Sequence, residues 1–494
     1  MTFQDADVTT TLSTDNPHAE EDRPQLMEQK PPEIESPTIL APETEVGVDI
    51  LNEIVQWVEP VNFGKYATDK LKDHDYYVLS IESLQKVARD HDMDFGMKND
   101  IAYVFNRQYW QQIDNASLRH FLEVVGLKQG IPHTIAKKHP FVDNLEKQFV
   151  SSVRFPIPPE DDLPKINLLN GTLHFSANGV ELKPFNKLDC LTYQLHYQFD
   201  EKARAPQFQK FLDRVLPDVE IQKLVFQYLA YVFLPHMKLE KIAFFFGRGA
   251  NGKSALLDVF TGLVGKEQVS EYSLEGITKS SYERAAIAGY LLNISTEISQ
   301  NMKLEMFKKI ASREPLPCRP IYRKPFIAKR YATSIFAANK LPTDIEQTTA
   351  FFRRLLIIPF NVSIPKEEQD ADLAAKIIAN ELSGVLNYLV EGVKTLQSTG
   401  RFTIPASVQV AVEEYQQETD SVLGFMRENR YFPDAERFEE LRGLYDAYRE
   451  HCTRDGIAKN VNKNEFAARL RGLGYTVAKK GHHNRTVVYT GRED

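Results

Sequence analysis

Residues 241–254, KIAFFFGRGANGKS, decide how the rest of the chain is read. The apolar run ending at Phe246 has the length of a buried strand, and the eight residues after it satisfy G-x-x-x-x-G-K-[ST]. ALLDVFTGLV then has helical spacing, so strand, loop and helix follow in the order that a phosphate-binding loop requires. Gly247, Gly249 and Gly252, with Asn251 among them, let backbone N–H groups turn inward around phosphates. The helix N-terminus favours negative charge, Lys253 reaches the β and γ phosphates, and Ser254 can hold Mg2+. A loop that merely turns the chain is the weaker reading. ATP with Mg2+ is the expected ligand.

Downstream, GYLLNISTEIS (289–299) reads as a second strand with Glu297 at its C-terminal end, the edge where ligands sit in open α/β sheets. Glu297 can orient or activate the attacking water, or serve the metal. Thr296 stands where a second acid is often found, so one carboxylate would serve both purposes. A third apolar strand, ATSIFAAN, ends in Asn339, whose amide can meet the γ-phosphate or the water. FFRRLLIIPF then places Arg353 and Arg354 just before a fourth strand. One of them is a candidate for stabilising phosphoryl-transfer charge in a neighbouring subunit, and spacing leaves open which; a structural salt bridge is the alternative.

GRGANGKS, the strand ending in STE, SIFAANKLP and FFRRLLIIPF together resemble motifs A, B, C and the arginine finger of superfamily 3 helicases. The likeness is greatest to the phage- and plasmid-encoded group of poxvirus-type primase C-terminal proteins. It extends over about residues 100–490, through LLNGTLHF and ELSGVLNYLVEGV. The resemblance implies an AAA+ P-loop ATPase core that assembles as a ring, usually a hexamer, and translocates on single-stranded DNA, typically 3′ to 5′. By the same resemblance Lys253 binds phosphate, Ser254 and Glu297 serve magnesium and water, Asn339 is the γ-phosphate sensor, and Arg354 or Arg353 is the finger acting in trans.

Residues 303–330 carry nine basic side chains against two acids. In the resembling family this interval holds a channel hairpin. Arg319, Tyr322, Arg323 and Lys324 in CRPIYRKPF are therefore the candidates for gripping a DNA backbone, Tyr322 packing on sugar or base. A second basic surface spans Lys459 to Arg485, with seven Lys/Arg against Glu465. Phe438, Leu441, Leu444, Tyr445 and Tyr448 give one helical face, and Phe466, Leu470 and Leu473 another. YTV and VVY then flank a turn, which is a winged-helix pattern. Lys463, Arg469 and Arg471 on its helix, and Lys479, Lys480 and Arg485 on its wing, are candidate DNA contacts. A protein-contact role is the alternative for this unit.

The chain has 494 residues, 42% apolar and 26% charged, enough for several domains and a large core. Its longest apolar stretches are too short to cross a bilayer and no secretory signal is visible. Cys190, Cys318 and Cys452 lie far apart without metal-ligand spacing, so a reducing cytoplasm is the expected compartment. The net charge of −8 is concentrated at one end: residues 1–50 hold twelve acids, two basic residues and six prolines, and the remainder holds 58 basic against 56 acidic residues. That segment is expected to be a disordered acidic tail, solvated or docking a replication-protein partner.

The expected class is α/β. After the tail come a small α+β N-terminal domain (51–153), a hairpin and helical linker (154–235), the parallel-sheet ATPase core (236–365), a helical lid (366–415) and a C-terminal winged helix (416–494). Within the linker, Leu173 and Phe175 should face Val180 and Leu182 across a turn, and 101–113 should form a hairpin around Asn106-Arg107. Asp92 and Asp94 have D-x-D spacing but no evident third carboxylate, so primer synthesis is not expected. The functional expectation is an ATP-dependent replicative DNA helicase of a phage, plasmid or other mobile element. The rival is an ATP-dependent origin-binding initiator that does not unwind.

Overall fold

The computed structural model describes residues 46–66, 71–158, 163–176, 179–296, 302–342, 348–455, 461–480 and 484–493, all within one unit, Pro42–Asp494. The four apolar runs read from the sequence become strands of one sheet, which gains a short fifth that was not expected, β2: β1 (Ile242–Phe246), β2 (Val269–Ser270), β3 (Leu292–Ser295), β4 (Thr333–Ala338) and β5 (Leu355–Pro359). They lie in the order β5-β1-β4-β3-β2, and every pairing is parallel. The chain is mixed α/β, as expected. Because both faces are covered, β1 and β5 are apolar throughout rather than alternating.

Ala243, Phe245, Ile335, Ala337, Leu356 and Ile358 point to one face. There they meet α1 (Pro206–Val215), α2 (Val219–Tyr231), α3 (Lys253–Val264), α4 (Leu373–Asn380) and α5 (Leu382–Thr399). Ile242, Phe244, Phe336, Ala338, Leu355 and Ile357 point to the other face. That side is covered by the helices Leu274–Lys279, Ser281–Ile287, Leu304–Ala311 and Ala406–Thr419.

The segment 366–415, expected as a helical lid, supplies helices that pack against the sheet and its covering helices. Phe226 of α2 stacks on Tyr388 of α5 at 5.2 Å between ring centroids, and a Cβ at Gly392 would stand 2.6 Å from the Phe226 carbonyl oxygen. On α4, Ile378 lies against Gly262 of α3. The helices are core layers because their apolar faces are completed by elements more than a hundred residues earlier. Local spacing cannot show this.

The N-terminal region has three antiparallel strands, Asp94–Lys98, Ile101–Phe105 and Trp110–Ile113, against the helices Asp73–Asp90, Asn115–Lys128 and His139–Ser152. Phe105 pairs with Trp110, as the hairpin expectation requires. The tail expectation, drawn to residue 50, overreaches: a helix runs from Val46 to Trp57, and Leu51 and Ile54 are buried. Residues 1–45, which hold the rest of the acidic segment, lie outside the described residues. The linker hairpin forms in the expected register, Leu173 opposite Leu182 and Phe175 opposite Val180, and gains a third strand, Lys165–Leu168.

The C-terminal unit runs helix Ser421–Glu428, strand Tyr431–Glu440, helices Leu441–Arg454 and Lys463–Gly472, then strands Thr476–Lys480 and Arg485–Arg492. Its antiparallel sheet has Arg485–Arg492 in the middle, over a core of Val422, Phe425, Tyr448, Phe466 and Leu470. Phe438, expected on a helical face, lies on the strand, where its ring packs against Tyr489. Among the described residues no helix is long and apolar enough to cross a membrane.

Candidate functional site

The loop between β1 and α3 leaves the C-terminal edge of the sheet. Gly249, Ala250 and Gly252 have φ of 103°, 49° and 79°, so its peptide units turn through the left-handed region as an anion-binding loop requires. At Gly247 an added Cβ would stand 2.4 Å from the Phe360 carbonyl oxygen, and at Gly252 2.4 Å from Val215 Cγ1. The segment after β5 holds the loop from outside: Asn251 Nδ2 donates to the Phe360 carbonyl at 3.1 Å, and the Ile364 N–H donates to the Ala250 carbonyl at 2.7 Å.

Lys253 is buried at the start of α3. Its ammonium donates to the Gly247 carbonyl at 2.8 Å, to Asn251 Oδ1 at 3.0 Å and to Asn339 Oδ1 at 3.4 Å. Burial pulls its pKa below that of an ordinary lysine. Ser254 is exposed on the first turn of the helix. Asn339, one residue past β4, is exposed at the same edge because β4 is the neighbour of β1. Phosphate oxygens arriving here would take over lysine donors that now go to neutral oxygens. The loop and its lysine offer donors that fit a polyphosphate, and Ser254 is the residue that would hold a magnesium bound with it. Glu297 lies outside the described residues; the chain is described to Thr296, just past the end of β3 beside β4.

Arg353 and Arg354 stand before β5, at the N-terminal edge of the same sheet. A five-residue strand spans roughly 16 Å, so neither arginine shares an edge with the loop of its own chain. The two differ in environment. Arg354 is 8% exposed and its guanidinium donates to Ser312 Oγ at 3.1 and 3.3 Å and to the Ala350 carbonyl at 2.6 Å. The Arg353 side chain is 57% exposed. Both reach Glu240, at 3.1 Å from Arg353 and 3.3 Å from Arg354. Glu240 was not found from the sequence, since it precedes Arg353 by 113 residues.

The basic stretch 303–330 divides in three dimensions. Arg313 turns inward, donating to the Leu234 carbonyl at 2.6 Å and the Tyr231 carbonyl at 2.9 Å, with its guanidinium 3.3 Å from the Tyr231 ring centroid. Leu316–Cys318 and Phe326–Ala328 pair as an antiparallel hairpin. Its root is braced by buried Arg284, which donates to the Pro317 carbonyl at 3.0 Å, and its tip exposes Arg319, Tyr322, Arg323 and Lys324 together. Tyr322 is fully exposed at φ 57°, an unusual place for a bulky side chain.

The C-terminal candidates divide similarly. Lys463, Arg471 and Lys479 are exposed. Arg469 is largely buried and paired with Asp420 at 3.3 Å and Glu465 at 2.6 Å, so it braces the helix instead of offering a free charge. Lys480 lies 3.9 Å from the Phe438 ring centroid, and Arg485 pairs with Glu440. Glu428, His451 and Asp455 draw together, but Arg454 already donates to Asp455 at 2.9 Å and lies 2.9 Å from His451 Nδ1.

Residues 74–217 match the family described as D5 N terminal like, and residues 245–354 match a family of unknown function (DUF5906). Over 313 residues the chain is 23% identical to "Putative helicase 121R" of Invertebrate iridescent virus 3; that alignment takes in 55% of this chain and 33% of the viral protein. The chain thus spans about a third of the length of the curated relative it matches. Two apo structures of the NrS-1 C-terminal region align with TM-scores of 0.47 and 0.45, at 14% and 15% identity. They cover 85% and 82% of this chain and 100% and 98% of theirs.

Proposed function

We propose that this chain is the motor of an ATP-dependent DNA helicase of superfamily 3 type, serving replication of a phage, plasmid or other mobile element. The D5-like segment and the helicase-named viral relative support a helicase- or primase-like replication protein. One observation carries the finer reading: Lys253 and Asn339 meet at one edge of the sheet while Arg353 is presented at the other. A guanidinium so placed serves a triphosphate only in a neighbouring copy, so the catalytic unit is an interface and the assembly a closed ring of AAA+ domains, a hexamer by resemblance. ATP with Mg2+ binds the Gly247–Ser254 loop, with Ser254 and Glu297 toward the metal. Hydrolysis moves the Arg319–Lys324 hairpin tips along a single strand, 3′ to 5′, while the C-terminal unit, read as a winged helix, holds forked duplex.

Strand displacement on a forked substrate tests this. Purified protein should unwind with ATP and Mg2+, and Lys253→Ala should abolish unwinding. ATP-dependent DNA association without displacement would instead establish the initiator reading.

A further inference from the structure

We infer that Glu240 is the positioning residue for Arg353, a role that rests on the reading of Arg353 as the residue acting on a neighbour's triphosphate. Glu240 lies in the turn between α2 and β1, and its Oε2 is 3.1 Å from Arg353 Nη2 and 3.3 Å from Arg354 Nη2. Arg354 is itself immobilised by Ser312 and the Ala350 carbonyl. The fixation therefore runs outward, from the buried core through Arg354 to the Glu240 carboxylate and from there to the exposed Arg353. From the backbone side, Lys241 Nζ donates to the Arg353 carbonyl at 2.6 Å.

Two features separate this arrangement from an ordinary surface ion pair. First, Glu240 has φ 51°, a left-handed conformation that costs a non-glycine residue energy, and its pair with the exposed Arg353 returns little stability for such a cost. Strain of this kind concentrates where geometry serves function. Second, one carboxylate faces two guanidiniums, with Lys241 beside them, so the cluster keeps a net positive charge and still attracts an anion. Arginine has many rotatable bonds. A carboxylate that holds its guanidinium in advance removes part of the ordering that a phosphate contact across an interface would otherwise require. Glu240 also stands at one end of β1 and the phosphate loop at the other, so a single strand carries a group for its own nucleotide and a group for the next subunit's.

The test is steady-state ATP hydrolysis by the full chain with single-stranded DNA, comparing Glu240→Ala, Glu240→Gln, Arg353→Ala and the double variant Glu240→Ala/Arg353→Ala. Glu240→Ala should lower kcat roughly tenfold with KM for ATP unchanged, and Glu240→Gln, which keeps the shape, should lower it less. The double variant should be no worse than Arg353→Ala alone, particle size should stay at the parental value, and Glu240→Gln, which can still hydrogen-bond buried Arg354, should keep the parental Tm. Full activity in both Glu240 variants beside an inactive Arg353→Ala would overturn the positioning role and leave the arginine reading standing. Losses that add in the double variant, or a fall in Tm matching the fall in kcat, would make Glu240 a structural residue. Full activity in Arg353→Ala would remove the premise itself.

Discussion

Lys253 Nζ lies 3.4 Å from Asn339 Oδ1, joining the glycine-rich loop after β1 to the end of β4 across the seam between two parallel strands. Residues 86 apart in sequence thereby share one edge. Asn339→Ala should leave nucleotide binding close to parental and lower kcat by about ten- to a hundredfold, because on the proposed reading its amide serves the water or γ-phosphate and not the α and β phosphates. Lys253→Ala should lose binding and turnover together. Equilibrium binding of a fluorescent nucleotide beside single-turnover hydrolysis separates the two.

Burial depresses the Lys253 pKa, and the protonated amine is the form that holds a phosphate. Nucleotide affinity should therefore fall as pH rises through that lowered value, at a less alkaline pH than an exposed lysine would give. Bound phosphate should shift the fall upward. Nucleotide Kd measured from neutral to alkaline pH, with Lys253→Arg as the non-titrating control, checks the sign.

Gly252→Ala should abolish nucleotide binding, since the residue has φ 79° and the new methyl would stand 2.4 Å from Val215 Cγ1. Gly249→Ala is the contrast, with φ 103° but open space for the methyl. It carries backbone strain of about 1–2 kcal/mol and should weaken binding only partly. Titration calorimetry of both variants measures the difference.

Arg353 and Arg354 should separate cleanly. Arg354→Ala removes a buried guanidinium and leaves Ser312 Oγ and the Ala350 carbonyl without it, so Tm should drop. Arg353→Ala should keep Tm and lose hydrolysis. Mixing Arg353→Ala with Lys253→Ala protein should restore part of the activity through composite interfaces, and no recovery at any ratio would show action within one subunit.

At the hairpin tip, the pair Arg323→Ala/Lys324→Ala should weaken single-strand binding and reduce the slope of log K against log salt by about one to two, leaving basal hydrolysis intact. Tyr322→Ala should weaken binding with little change in that slope, because a stacked ring contributes no charge. In the C-terminal unit, Arg471→Ala should weaken DNA binding without unfolding, whereas Arg469→Ala should lower Tm by breaking the Asp420 and Glu465 pairs.

The parallel sheet and the glycine-rich turn from β1 into α3 were legible from the chain because each rests on short-range chemistry. Buried strands need continuous apolar runs, the left-handed loop positions need residues such as Gly249 and Gly252, and the lysine must open the following helix. The hairpin 173–182 was legible for the same reason, its register following from side-chain alternation about one turn. Tertiary structure alone decided which charges remained available. Arg353 and Arg354 are adjacent and chemically identical, yet one is buried against Ser312 and the other presented to solvent; Arg313 and Arg469 were absorbed into packing while Arg323 and Arg471 were not. The parallel pairing of β1 with β5 set the lysine and the exposed arginine at opposite edges, and the fold packed helices 373–399 into the core. Sequence specifies what each segment can do over a few residues. Whether a guanidinium finds a carboxylate, a carbonyl or water depends on segments a hundred residues away that only the folded chain brings beside it.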